Sequence, residues 1–224
     1  MSNRNNQTMA TAHLCIALGP LTVYLMLMGL INASRQPFVT SGARDVFSLA
    51  LGISGLIMIG PLRLFVPEQA LTAFGAWTWA LLGAFYILSV LLVGMTSRPR
   101  LVVYNISSTQ LKTTLGKLVA ELDSSAKWAG DSVELPQMGI QLSIESKNSM
   151  RSCQIVAVGY HQNLGNWSKL RVELAAQLKK VKVSANPYAL SMIGFALVLG
   201  TLIAFQIIQN PQIVLNDLKD FLRF

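Results

Sequence analysis

Four long stretches of this chain contain no Asp, Glu, Lys or Arg, and they restrict most strongly what it can fold into. They are residues 5–34, 46–62, 69–97 and 183–216, close to half of the 224 residues. Charged residues make up only 12% of the chain, about half the share found in soluble domains. A soluble monomer of this length cannot bury four such stretches. The sequence therefore predicts an integral membrane protein and argues against a disordered chain, a disulfide-rich miniprotein or a simple cytosolic enzyme.

The charge-free stretches predict four transmembrane helices. A helix needs about 20 mainly apolar residues to cross a bilayer. The predicted spans are about 13–31, 46–62, 77–96 and 187–209. The second span is the shortest because it soon reaches Pro61 and Arg63, and a re-entrant or buried helix is its alternative.

The remaining segments complete the predicted domain organisation. Residues 1–97 form a membrane domain with three spans, and residues 98–186 form a water-exposed α+β domain that precedes the fourth span. Residues 210–224 follow that span, and their apolar residues recur at helical spacing. This pattern predicts a short amphipathic helix at the membrane interface, with a frayed tail as the alternative.

The water-exposed domain has the predicted element order β-α-β-β-β-α. The strands are expected at Arg100–Ile106, Ser132–Leu135, Gly139–Glu145 and Ser152–Tyr160, and Lys127–Gly130 could add a short one. A capping box of Ser107 and Gln110 opens the first helix, and Asn166 is the expected N-cap of the second. Both helices carry one apolar stripe. Two helices packed on one face of a mainly antiparallel sheet would bury both stripes.

Basic residues set the predicted orientation. The short loop at 32–45 and the domain together hold 14 of the 18 Lys and Arg residues, and the other side of the membrane holds 4. Because Lys and Arg are concentrated in cytoplasmic segments, we expect the domain in the cytoplasm of an inner-membrane protein and both termini outside. Cys15 lies in an apolar span and Cys153 in the domain, so no disulfide is expected.

The domain is also basic where it meets the predicted spans. Five residues are candidate contacts to anionic lipid headgroups: Arg98, Arg100, Lys179, Lys180 and Lys182. The alternative is that the lysines only mark the start of the fourth span and complement a helix C-terminus. Nucleic acid is not an expected partner, because the basic residues are dispersed and no stacking motif accompanies them.

Small residues recur at helical spacing in two spans and form candidate packing faces. They are Ser48, Gly52 and Gly55 in the second span and Ala196, Gly200 and Ala204 in the fourth. In lipid, such faces let helix backbones approach closely. Packing among the four spans is the favoured interpretation, and an interface with a second copy or another membrane protein is the alternative.

No motif for catalysis, cofactor binding or metal binding was found, so no such site is predicted. Cys153 and His161 are the best candidate nucleophile and base, but on one strand they would lie roughly 26 Å apart. Cys153 is more simply a small buried residue. Asp131 resembles a solvated turn carboxylate.

The sequence thus predicts a non-catalytic membrane protein that presents a small α+β module for scaffolding, assembly or regulation of a membrane complex. Its expected partners are the lipid bilayer and other membrane proteins or a second copy of itself. One alternative is an accessory subunit of a transporter or secretion system. A second alternative is a membrane-bound enzyme without a recognisable motif.

Overall fold

The structure, a computed structural model, describes residues 2–62, 73–147, 151–159, 162–184, 186–209 and 211–212. In chain order its elements are α1 (Ser2–Ala33), β1 (Phe38–Ser41), α2 (Gly42–Ile57), a π-helix (Met58–Leu62), α3 (Ala76–Thr96), β2 (Arg100–Tyr104), α4 (Ser108–Leu122), β3 (Lys127–Ala129), β4 (Ser132–Leu135), β5 (Ile140–Lys147), β6 (Ser152–Ala157), α5 (Leu164–Leu178) and α6 (Pro187–Gln209).

The chain divides into two compact units. The first, called the helical unit, comprises Met1–Leu27, Val46–Val93 and Met192–Phe224. The second, called the sheet unit, comprises Met28–Asp45 and Gly94–Ser191. The ends of all four long helices that adjoin the sheet in sequence therefore belong to the sheet unit.

Four helices are long and apolar enough to cross a membrane, as the charge-free stretches predict. They cover His13–Ala33, Gly42–Gly60, Trp77–Thr96 and Pro187–Gln209, with mean hydropathies of 2.2, 1.5, 2.0 and 2.2. The second helix begins four residues before its predicted start. The charged pair Arg44 and Asp45 lies in its first turn, and charged residues at a helix end do not interrupt the helix. Arg63, which follows the predicted second span, and the amphipathic helix predicted within 210–224 lie outside the described residues, apart from two helical residues, 211 and 212.

The predicted antiparallel sheet is confirmed, but the predicted element order was wrong in its strand count. The sheet has six strands in the order β1-β2-β6-β5-β4-β3, and every neighbouring pair is antiparallel. Four strands, not three, lie between α4 and α5, because Lys127–Ala129 pairs with β4. The extra edge strand β1 comes from the loop between the first two long helices, where Phe38 pairs with Tyr104. The four residues of β1 are too few to show the alternating pattern of a strand in the sequence. They are extended because they pair with the edge of β2.

One hydrophobic core holds the sheet unit together. Alternate strand residues such as Leu101, Ile155 and Ile144 face this core and lie opposite one another in the ladder. Both amphipathic helices contribute their predicted stripes. The buried helix residues are Leu111, Leu115, Leu118 and Val119 of α4 and Trp167, Leu170, Leu174 and Leu178 of α5. The two helices thus cover one face of the sheet, as the apolar periodicity predicts.

The helix caps show how sequence places the two sheet-unit helices. Ser107 and Gln110 form the predicted capping box at the start of α4. The predicted N-cap of α5 was wrong: the cap is Asn163, whose side chain accepts a hydrogen bond from the Asn166 amide at 3.2 Å. Asn166 instead donates its side-chain amide to the Met138 carbonyl at 2.7 Å. Both asparagines suit a cap, and the partner from the β4–β5 turn decides between them.

Candidate functional site

A cavity of about 380 Å³ lies in the sheet unit where three segments of the chain meet. These segments are the junction of β1 with α2, the connection from α3 to β2, and one flank of α5. Three arginines line it, together with three serines and a group of apolar side chains. We call this cavity the basic pocket, and its lining includes Arg98, Arg100, Arg171, Ser41, Ser97, Ser168, Gly42, Met95, Leu164 and Trp167.

Gly42 allows Arg100 to cross the start of α2. A Cβ atom at position 42 would lie 2.2 Å from Arg100 Cγ and 2.6 Å from its Nε. No side chain larger than hydrogen fits at this distance, so the absence of a Cβ permits the contact. Gly42 directly follows Ser41, the last residue of β1, which pairs with Leu101 in the sheet. The ladder register therefore brings Gly42 next to Arg100.

Arg171 reaches the same pocket from a separate element. Leu164, Ser168 and Arg171 stand at positions i, i+4 and i+7 of α5 and so occupy one face of the helix. This face adjoins the buried side chain of Trp167, and α5 lies against β1. Sequence reasoning did not select Arg171. The spacing with Ser168 and Leu164 was present, but nothing in the sequence showed that this flank of α5 faces Arg98 and Arg100.

The arginines of the basic pocket are not neutralised by nearby acids. Among the described residues, no ion pair involves Arg98, Arg100 or Arg171. The nearest acidic residue along α2, Asp45, is not part of the lining and accepts a hydrogen bond from the Tyr104 hydroxyl. The N-terminus of α2 adds partial positive charge to the same lining. The pocket is therefore an electropositive cavity.

The predicted lipid contacts divide into two groups in the structure. Arg98 and Arg100 line the basic pocket. Lys179, Lys180 and Lys182 are exposed, follow α5 in the chain, and do not line the basic pocket. Position 179 is the C-cap of α5 and its amide bonds back to the last turn, where a cation complements the helix dipole.

A second feature, which we call the helix-end junction, is a set of hydrogen bonds within the sheet unit. Asn32 in the last turn of α1 accepts a bond from Asn186 just before α6, at 2.9 Å, and both side chains are buried. The Asn105 amide donates to the Ser34 carbonyl. Backbone bonds follow the same path, because the Val183 amide donates to the Arg35 carbonyl at 3.1 Å. The end of α1 and the start of α6 are thus tied to each other and to the sheet.

The small-residue faces of the helical unit lie mostly inside it. A Cβ atom on Gly55 would lie 2.0 Å from the backbone oxygen of Ile16, and one on Gly52 would lie 2.7 Å from Tyr24. Gly200 has a looser contact, since its Cβ atom would meet Thr22 at 3.6 Å. The remaining members differ in burial: Ala196 is buried, and Ser48 and Ala204 are exposed.

The Ile16 contact has a cause in the sequence of α1. Pro20 stands four residues after Ile16 within the helix, and proline has no amide hydrogen to donate to that carbonyl. The freed oxygen faces Gly55, whose lack of a side chain lets the α2 backbone come close. Proline in α1 and glycine in α2 therefore act as one packing feature.

The candidate nucleophile and base are not brought together among the described residues, because His161 lies outside them. Burial raises the pKa of the Cys153 thiol, and the positive charge of Lys112 only partly opposes this effect. The side chain is 2% exposed, so it behaves as a small core residue. Asp131 forms an exposed ion pair with Lys112. No group of three metal-ligating side chains occurs in the described part of the chain.

Comparison with family models, with curated proteins and with solved structures finds no match to this chain.

Proposed function

We propose that this chain is a multi-pass membrane protein whose sheet unit acts as a non-catalytic platform for scaffolding, assembly or regulation of a membrane complex. The observation that carries the proposal is the helix-end junction. Asn32 and Asn186 join the end of α1 to the start of α6 through buried side chains. Buried and satisfied hydrogen bonds keep the sheet and the helix ends within the sheet unit in one arrangement, which gives partners a fixed surface.

The proposed location of the platform is the cytoplasmic face, with both termini outside. Its support is the excess of Lys and Arg on the sheet side of the predicted spans, by 14 to 4. Anionic headgroups and either other membrane proteins or a second copy of this chain are the proposed partners. Nucleic acid is not one of them, because the basic residues of the sheet unit do not form a stacking surface.

Affinity purification after mild detergent extraction tests the platform role. We expect fixed protein partners to co-purify with the full chain. The variant Asn186→Leu removes the junction bond to Asn32 and should lower partner recovery. Asn166→Leu is the matched control, since the Asn166 side chain bonds to the turn between β4 and β5 and not to the ends of the long helices. Equal recovery with both variants, or no stable partner, would contradict the proposal.

Reporter fusions test the orientation separately. A fusion at Lys147, at the end of β5, and a fusion at the C-terminus should report opposite compartments. If both fusions report the same compartment, the four-span topology is wrong.

A further inference from the structure

We propose that the basic pocket binds the phosphate group of an anionic membrane lipid. The proposal goes beyond the platform role, and it rests on the proposed membrane residence only for the source of the lipid. Lipid would then bind at one site of defined residues and not through a general attraction between surface cations and headgroups. Three features of the pocket support this assignment: the convergence of positive charge, the placement of Arg100, and the apolar part of the lining.

Three arginines line one cavity from separate segments of the chain. Arg98 lies in the connection that precedes β2, Arg100 is the first residue of β2, and Arg171 belongs to α5. Guanidinium presents paired N–H donors that match the oxygens of a phosphate. Since no described carboxylate pairs with these arginines, their donors are available to an external anion.

Arg100 is held for this role by packing. Its Nε atom is buried and has no hydrogen-bond partner among the described residues. Its side chain lies on Gly42 at the N-terminus of α2. Packing against Gly42, and not an ion pair with a carboxylate, therefore fixes the position of the guanidinium. The positive end of the α2 dipole adds to the positive electrostatic potential of the pocket.

The remaining lining favours a lipid over free phosphate. The cavity of about 380 Å³ lies within the range of small-molecule pockets, about 300–1,000 Å³. Serine hydroxyls at positions 41, 97 and 168 can donate to a headgroup. Met95 and Leu164 offer exposed apolar surface to the glycerol and the first acyl carbons. Met95 also belongs to α3, one of the four apolar helices.

The binding experiment uses the full chain in a neutral detergent, with lipids added to the micelles. The probes are phosphatidylglycerol, zwitterionic phosphatidylcholine, oleate as an anion without phosphate, and soluble glycerol phosphate. We expect saturable binding of phosphatidylglycerol, and binding of each other probe that is weaker by about tenfold or more. Equal affinity for oleate would overturn the phosphate assignment, and equal affinity for glycerol phosphate would overturn the lipid assignment.

Two charge variants test whether the pocket or the general surface charge binds the lipid. Arg171→Gln should weaken phosphatidylglycerol binding about tenfold, because it removes a charge-assisted pair of hydrogen bonds. Lys169→Gln is the matched control: it makes the same charge change on the same helix at an exposed residue outside the lining. Equal weakening by both variants would overturn the site.

A second pair of variants changes no charge. Gly42→Ala forces Arg100 to move and should weaken binding several-fold, although all three arginines remain. Gly116→Ala is its control, since a Cβ atom there would meet nothing within 4 Å. Thermal unfolding followed by circular dichroism confirms that each variant is folded. Unchanged binding in Gly42→Ala would overturn the placement of Arg100. None of these assays needs a protein partner, so they can fail independently of the platform role.

Discussion

The two units are both rich in apolar residues, yet they use them in opposite ways. In the sheet unit, core side chains such as Leu115 and Leu170 are fully buried. In the most apolar stretches of the four long helices, only 6 to 22% of residues are buried inside the protein. Leu88 of α3, for example, is 63% exposed. Exposed apolar surface of this extent is typical of a site that contacts a membrane or another protein. Apolar residues therefore form an internal core in one unit and an external apolar surface in the other.

The helix α2 stands between these two cases. Its hydropathy is the lowest of the four, at 1.5, and its buried share is the highest, at 22%. Gly52 and Gly55 explain this combination, because they let α2 approach α1 at backbone distance. A helix with less exposed apolar surface can be less hydrophobic.

The largest expected effect on stability comes from replacing one buried leucine in the sheet unit, compared with one exposed leucine in the helical unit. Leu115→Ala should lower the free energy of unfolding of the sheet unit by about 2–5 kcal/mol, because it removes buried contacts and leaves a cavity. Leu88→Ala should change stability by no more than about 0.5 kcal/mol. Thermal or chemical unfolding of the full chain in detergent measures both. A comparable loss from Leu88→Ala would show that α3 is packed and not exposed.

A smaller effect is expected where the helical unit does pack. Gly55→Ala should cost about 1–3 kcal/mol, because the new methyl group meets the backbone of α1 and α2 must shift. Gly83→Ala on α3 is the matched control, with nothing within 4 Å of its added Cβ atom. It should be neutral or stabilising by about 0.5–1 kcal/mol. Equal behaviour of the two variants would remove the distinction between α2 and α3.

The smallest expected effect is a dependence of stability on pH, which should differ between the two units. Burial alone would raise the pKa of the Asp123 carboxyl, but hydrogen bonds from Ser125, Gln137 and Met138 outweigh it and lower that pKa. The Ser125 and Gln137 amides each lie 2.9 Å from the carboxylate. The folded state thus favours the ionised form, so its stabilisation is present above about pH 3.9, the usual value.

This contribution is lost as the pH falls through the lowered pKa of the folded protein. Asp123→Asn should be less stable at neutral pH and should lose this part of the acid sensitivity. The described part of the helical unit contains no Asp or Glu, so its helices should stay folded over the same range. Hydrogen exchange resolved to peptides of each unit, followed during acid unfolding, measures this, and an unchanged acid transition in Asp123→Asn would contradict it.

Sequence predicted the elements whose signal is local and missed those that depend on a distant partner. The four apolar helices follow from runs of uncharged residues, and the stripes of α4 and α5 follow from their helical period. Strand β1 has no such signal, because its four residues become a strand only beside β2. The start of α5 depends in the same way on the Met138 carbonyl that binds Asn166.

The same division applies to the candidate site. Arg98 and Arg100 were selected because they lie next to a predicted span. Arg171 was not, because its distance from them along the chain is large and only the fold of the sheet unit joins them. Gly42 was missed as well, since the need for glycine there comes from the Arg100 side chain and not from a turn.

The edge strand β1 also affects the order in which this protein can be made. A ribosome adds about 5–20 residues per second, so several seconds separate the synthesis of Phe38 from that of its partner Tyr104. During this time α2 and α3 are completed while β1 has no strand to pair with. The sheet can be completed only after β6 is synthesised, since β6 pairs with the other edge of β2. By that time three of the four long apolar helices have already been synthesised.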